Sequence, residues 1–262
     1  MSAIFFFEDL KDGIQAVPRI VKICLFDANS RYRRTFLGPF WPILAVAAGS
    51  LGIAFLWASI FKLDYREAIP QVTCGFLVWY YVSGAIVEGS SCFIDQQHTF
   101  LSQKLPIIFF PLHSLIKNTV NFIKSLVVVL LVDLVFTPTE MTAVMFFPLY
   151  FLISWLNLFL LIYVIGFLST RFRDIPILIS SIMPILFFLS PVVFKTEFLP
   201  PELTWVLLLN PMSPILICIR DPLIGVTPDF NFLLVQIVMI VILISFLIPL
   251  FARKHKNLPF WL

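Results

Sequence analysis

Five stretches of this chain carry no Asp, Glu, Lys or Arg: Thr35 to Phe61, Ala68 to Val87, Met141 to Thr170, Ile175 to Phe194 and Phe230 to Ala252. A helix crossing ~30 Å of hydrocarbon at ~1.5 Å per residue needs about 20 apolar residues, so each stretch is long enough. A sixth, from Leu112 to Phe136, is apolar apart from Lys117, Lys124 and Asp133. The pattern predicts an all-α, polytopic membrane protein with six transmembrane helices at about 37–61, 69–91, 112–136, 143–168, 176–194 and 230–251. Leu203 to Ile219 is also uncharged, but it is shorter and carries Pro211 and Pro214. It reads as re-entrant outer helices within a segment over 195–225, before the last span.

The N-terminal part has a different period. Between Glu8 and Ala28, charged residues alternate with Ile14, Val17, Ile20, Val21 and Leu25, several of them at helical spacing. This predicts an amphipathic interface helix over 8–34, lying on the inner membrane surface. The opening residues Ile4 to Phe7 are too short for a signal-peptide core, and Glu8, Asp9, Lys11 and Asp12 follow at once.

Composition strengthens this picture. Apolar residues make up 60% of the 262 residues and charged ones 13%, against ~25% in soluble domains, and mean hydropathy is +0.99. One soluble core cannot hide that much apolar surface, which excludes an ordinary cytosolic enzyme, a disordered chain and a nucleic-acid-binding module. The cations set the orientation. With the N-terminus inside, 14 of the 18 Lys and Arg fall at or near the inner face, leaving Lys62, Arg66, Lys195 and Arg220 outside. That asymmetry places both termini in the cytoplasm of a multi-pass inner-membrane protein, built as a single transmembrane domain over 1–262.

Candidate chemistry is sparse. Cys24, Cys74, Cys92 and Cys218 form no CxxC, and no His or Cys cluster has ligand spacing, so no metal site is expected. The clear spans lack the clustered acids or histidines of a membrane-embedded enzyme, and no catalytic residue is assigned. No Gly-Lys dipeptide occurs, hence no P-loop. The densest signal is Arg31-Tyr32-Arg33-Arg34-Thr35-Phe36-Leu37-Gly38-Pro39-Phe40-Trp41-Pro42. On charge alone it is an inner-face anchor. The sharper alternative is a docking site in which Arg31, Arg33, Arg34 and Tyr32 hold a phosphorylated or pyrophosphorylated lipid, since guanidinium grips two oxygens at once. Aromatic rings can stack on the C–H face of a sugar, which makes Phe40, Trp41, Phe55, Trp57, Phe61, Phe187 and Phe188 candidate channel residues. The plainer alternative is that they face lipid or neighbouring helices.

Four segments stand in a telling order. The arginine-rich segment precedes the first span. Phe172-Arg173-Asp174-Ile175 follows the fourth, Leu189-Ser190-Pro191-Val192 ends the fifth, and Asn210-Pro211-Met212-Ser213-Pro214 precedes the last. Together they resemble the membrane (permease) subunit of type-2 ABC exporters, in the branch that exports polysaccharides and polyol phosphates, of the O-antigen type. The resemblance covers residues 8 to 251. It implies a channel-forming homodimer that exports a lipid-linked polysaccharide and binds no cofactor itself, with ATP and Mg on a separate ATP-binding subunit. It also implies a coupling helix within Ile94 to Leu105, where Asp95, Gln96, His98, Phe100 and Lys104, with Arg173 and Asp174, would meet the ATPase. Teichoic-acid exporters share the pattern. A small-molecule ABC exporter, a membrane-embedded enzyme and a stand-alone channel or carrier are the remaining alternatives.

Overall fold

The computed structural model describes residues 2–30, 41–102, 105–136, 141–196, 200, 202, 204–254 and 258–261. Among these the protein is all-helical, with no strand. In chain order the helices are α1 (Ser2–Ser30), α2 (Trp41–Phe61), α3 (Tyr65–Ser90), α4 (Cys92–Asp95), α5 (Gln97–Ser102), α6 (Phe109–Phe136), α7 (Met141–Val144), α8 (Phe147–Arg171), α9 (Ile175–Leu189), α10 (Thr204–Leu209), α11 (Met212–Leu223), α12 (Phe230–Lys254) and α13 (Leu258–Trp261). Four of them, α3, α6, α8 and α12, are long and apolar enough to cross a membrane; Val46–Phe61 of α2 and all of α9 are shorter apolar helices.

Helix α3 is the hub, packing against α2, α6, α8, α9 and α11. Its mixed sequence suits that place: Gln71, Thr73, Cys74 and Gly75 are all buried. Small residues let its neighbours close in. On α2, Val46, Ser50, Ala54 and Ala58 recur every fourth residue and are the buried ones, while Leu44, Ile53, Phe55, Leu56, Ile60 and Phe61 stay exposed. One narrow stripe thus faces the protein and the rest is left for lipid or another subunit. Gly166 of α8 lies where a Cβ would sit 2.9 Å from the Gly89 carbonyl of α3. Only 11% of the apolar window of α12 is buried, against 72% for α3, so α12 forms an outer wall of the bundle.

Polar side chains fasten the helices at mid-depth, where water cannot compete. Gln236 of α12, fully buried, donates to the Pro214 carbonyl of α11 at 2.9 Å and accepts from Ser154 at 3.1 Å and from Asn157 at 3.1 Å, both on α8. Thr119 of α6 accepts from Trp155 of α8 at 3.1 Å and lies 3.2 Å from the Tyr81 hydroxyl of α3.

Candidate transport site

At one end of the bundle, α1 is docked rather than free. Both Asp9 oxygens accept backbone N–H bonds at the start of α6, from Ile107 at 2.7 Å and Ile108 at 3.0 Å, and Gly13 lies directly against Ile108. A carboxylate there meets the positive end of the α6 dipole. Gly13, Ile20 and Cys24 make the buried face of α1, while Ile14, Leu25 and Phe26 are exposed apolar positions. The polar positions Asp12, Gln15 and Arg19 line a cavity of about 960 Å³, closed on the other side by α3, α4, α5 and the first turns of α6. Within it Lys117 pairs with Glu88 at 2.8 Å, and Asn118 donates to the same Glu88 oxygen at 3.0 Å. Glu88 therefore bridges α3 to α6.

The Ile94 to Leu105 stretch is not one continuous helix. It breaks at Gln96, whose side chain lies 3.3 Å from His113 Nδ1, and the result is α4 and α5. Asp95 is exposed and accepts from Ser91 at 2.5 Å; His98 is exposed and Gln96 half-buried. Phe100 turns inward onto Phe110 and Phe93, with centroids at 5.1 and 6.4 Å, so it anchors α5. Burial pushes the Cys92 thiol of α4 well above its ordinary pKa.

Arg173 and Asp174 lie in the exposed turn between α8 and α9. Arg173 donates to the Trp261 carbonyl of α13 at 2.8 Å, and the Trp261 ring lies 5.9 Å from the Arg171 guanidinium. Helix α13 thus rests against this exposed turn. The α1 cavity, α4 and α5, the α8–α9 turn and α13 share one end of the bundle.

The opposite end holds the other motif segments. Asn210 donates to Ser190 Oγ at 2.9 Å and accepts from Met212 N at 3.0 Å, so one amide ties the end of α9 to the start of α11. The two motifs, 20 residues apart, are in direct contact. Eleven of the twelve α11 residues, Met212 to Pro222, are buried. Helix α11 meets Cys74, nine residues past the start of α3, and Gln236, six past the start of α12. At 1.5 Å per residue that places it roughly 9–14 Å inside the end of the bundle. Arg220, taken from the sequence as an outer-loop cation, is only 2% exposed. Its Nε donates to Asp221 at 2.8 Å and its Nη1 to the Pro191 carbonyl. Nothing in a hydropathy pattern distinguishes such a buried pair from a solvated one.

Of the aromatic candidates, Trp41, Phe55, Phe61 and Phe188 are exposed, and Trp57 and Phe187 are half-buried. Trp57 and Phe61 touch at 4.9 Å on α2; Phe187 of α9 packs on Phe76 and Trp79 of α3 at 5.3 and 5.5 Å. Among the described residues no ring contact joins the two groups. Arg31, Tyr32, Arg33, Arg34, Phe40 and Lys104 lie outside the described residues, as does the Asp133 side chain. The sequence reading missed Gln236, Asn157 and Thr119. Isolated amides and hydroxyls inside apolar runs were the available signal.

Such a bundle, with several spans, a docked surface helix and a buried helix before the last span, defines a multi-pass membrane protein. No family model matches the chain. It is 25% identical over 199 residues to the O-antigen export system permease protein RfbA of Myxococcus xanthus, covering 74% of this chain and 75% of that one. Two proteins of the same name from Klebsiella pneumoniae are 22% and 21% identical, over 82% and 77% of this chain and 83% and 78% of theirs. These relatives support the resemblance to permease subunits of type-2 ABC exporters of the O-antigen type that the ordered motifs imply.

Proposed function

We propose that this chain is the channel-forming half of an ATP-driven exporter that moves a lipid-linked polysaccharide of O-antigen type across the inner membrane. Helices α2, α3, α6, α8, α9 and α12 form six spans, with both termini cytoplasmic. Helix α9, with 15 residues, covers only about 22 Å, short of ~30 Å of hydrocarbon. The re-entrant α10 and α11 fill the layer above it as an outer gate. Two copies enclose the path, and the open face of α2 with Phe55, Trp57 and Phe61, together with Phe187 and Phe188, lines it. The arginine-rich segment Arg31 to Arg34 receives the lipid pyrophosphate. A separate ATP-binding subunit, carrying ATP and Mg, presses on Asp95, Gln96 and His98 of the α4–α5 segment, on Lys104 beyond it in sequence, and on the Arg173–Asp174 turn. A polyol-phosphate polymer is the alternative cargo.

The observation that carries this reading is the gathering of α1, α4, α5, the α8–α9 turn and α13 at one end, opposite the buried α11. A thrust delivered at α4 reaches α3 and α6 directly through Gln96–His113 and Glu88–Lys117. Deleting the gene in the producing bacterium tests it: undecaprenyl-linked polymer accumulates at the inner membrane and surface polymer disappears. Unchanged surface polymer overturns the reading.

A further inference from the structure

A second, smaller cavity opens halfway along α3 and α6. Its volume is about 240 Å³, and its lining includes Tyr80, Asn118, Asn121 and Ser125 over an apolar floor of Leu77 and Phe122. The depth is unusual for such residues. Asn121 is 12 residues past the start of the 28-residue α6, or roughly 18 Å along it, and Tyr80 is 15 residues past the start of α3. Helix α3 is otherwise the most enclosed of the four long apolar helices, yet Tyr80 is 51% exposed. Among the described residues no hydrogen bond reaches the hydroxyl of the exposed Tyr80 or the amide of the half-buried Asn121. A free carboxamide facing hydrocarbon is costly, so one at mid-span marks a wet surface or a ligand. The cavity also connects inward: Asn118 bonds Glu88, which lines the large cavity beneath α1. Ser114, Asn118, Asn121 and Ser125 run at three- and four-residue spacing along one α6 face.

We propose that this pocket is a carbohydrate subsite on the export path, holding one sugar ring by stacking on Tyr80 and by hydrogen bonds from its hydroxyls to Asn121 and Asn118. This rests on the proposed function and adds to it a place where the polymer touches the chain, distinct from the phenylalanines of α2 and α9. The chemistry fits. An aromatic face takes the C–H side of a pyranose; the Asn121 carboxamide offers both donor and acceptor to a hydroxyl, and Asn118, whose NH2 is held by Glu88 and Ser114, offers its oxygen as acceptor. The volume lies below the ~300–1,000 Å³ typical of drug-sized ligands, room for a single ring.

Two measurements test it on the full chain with its ATPase. The first is export of undecaprenyl-linked glycan from the producing strain. Asn121→Leu lowers export about tenfold, the loss of one hydrogen bond in a low-dielectric site, while Asn121→Gln restores most of it. Leucine suits the bilayer better than asparagine, so the amount of Asn121→Leu in the membrane equals wild type. The second is labelling of Asn121→Cys by a charged, membrane-impermeant thiol reagent in open vesicles. The native cysteines are buried and give little background. Labelling at 121, with none at Leu130→Cys on the lipid-exposed part of α6, is the expected result. Full export by Asn121→Leu, or an unlabelled Cys at 121, overturns the subsite. No export by the wild-type chain overturns the functional reading and the sugar assignment with it, while labelling still reports whether the pocket is wet.

Discussion

Replacing Gln236 by leucine removes the side chain that holds α8, α11 and α12 together. Three partners are lost: the Pro214 carbonyl at 2.9 Å, Ser154 at 3.1 Å and Asn157 at 3.1 Å. Hydrogen bonds between helices in a membrane contribute ~0.6 kcal/mol on average and up to ~1.7, so three give about 2–5 kcal/mol. The cost falls in the upper half of that range, because Gln236 is fully buried and its orphaned partners have no water to turn to. Asn157 keeps its bonds to the Ile153 carbonyl at 3.3 Å and to the backbone carbonyl of residue 236 at 3.2 Å, so the stranded groups are those of Pro214 and Ser154. The four buried cysteines supply the assay: a dye that fluoresces on reacting with thiols reports thermal unfolding in detergent. At about 2–4 °C per kcal/mol for a chain of this size, Gln236→Leu melts roughly 7–20 °C below wild type. The triple variant Ser154→Ala, Asn157→Leu, Gln236→Leu regains part of that, since no polar atom of the cluster's side chains is then stranded. A Gln236→Leu protein that melts at or above wild type refutes the clamp.

Other expectations follow from close contacts and charge. Gly75→Ala drives a methyl into the Val192 carbonyl, backbone that cannot swing away, and the protein fails to accumulate; Gly52→Ala, with nothing within 4 Å, accumulates normally on a membrane immunoblot. Arg220→Met breaks the buried ion pair with Asp221 and costs ~3–5 kcal/mol, whereas Arg220→Met with Asp221→Leu recovers most of it in the same thermal assay. Burial holds Cys92 protonated in the folded state, so it resists iodoacetamide at pH 8 until the protein unfolds. The sign for stability follows: the unfolded thiol ionises near 8.5, so the Cys92 contribution is intact below that pH and declines as pH rises through it, a decline absent in Cys92→Ser.

The helices were legible because the bilayer imposes one rule on sequence: an uncharged run of the right length. Residues 230–251 and 143–168 illustrate it, falling within or close to α12 and α8. The amphipathic helix showed through Ile14, Val17, Ile20 and Val21, although its attachment by Asp9 to the start of α6 did not, since 98 residues separate the partners. The early end of α9 at Leu189 was also hidden. It depends on Asn210 catching Ser190 and on Gly75 admitting the Val192 backbone, contacts with no local signature. The Ile94 to Leu105 stretch was visible as a polar interval, but its break at Gln96, beside His113 of α6, has no local signature. Polar networks inside the bundle were the least visible part. A single Gln or Asn in an apolar run reads the same whether it faces lipid, a partner helix or a cavity.

The most direct test of the account reconstitutes the purified chain with its ATP-binding subunit in sealed liposomes loaded with undecaprenyl-linked glycan. The account predicts that glycan becomes accessible on the far side of the membrane only with both proteins and hydrolysable ATP present. Transfer by this chain alone, or by both proteins without ATP, contradicts it.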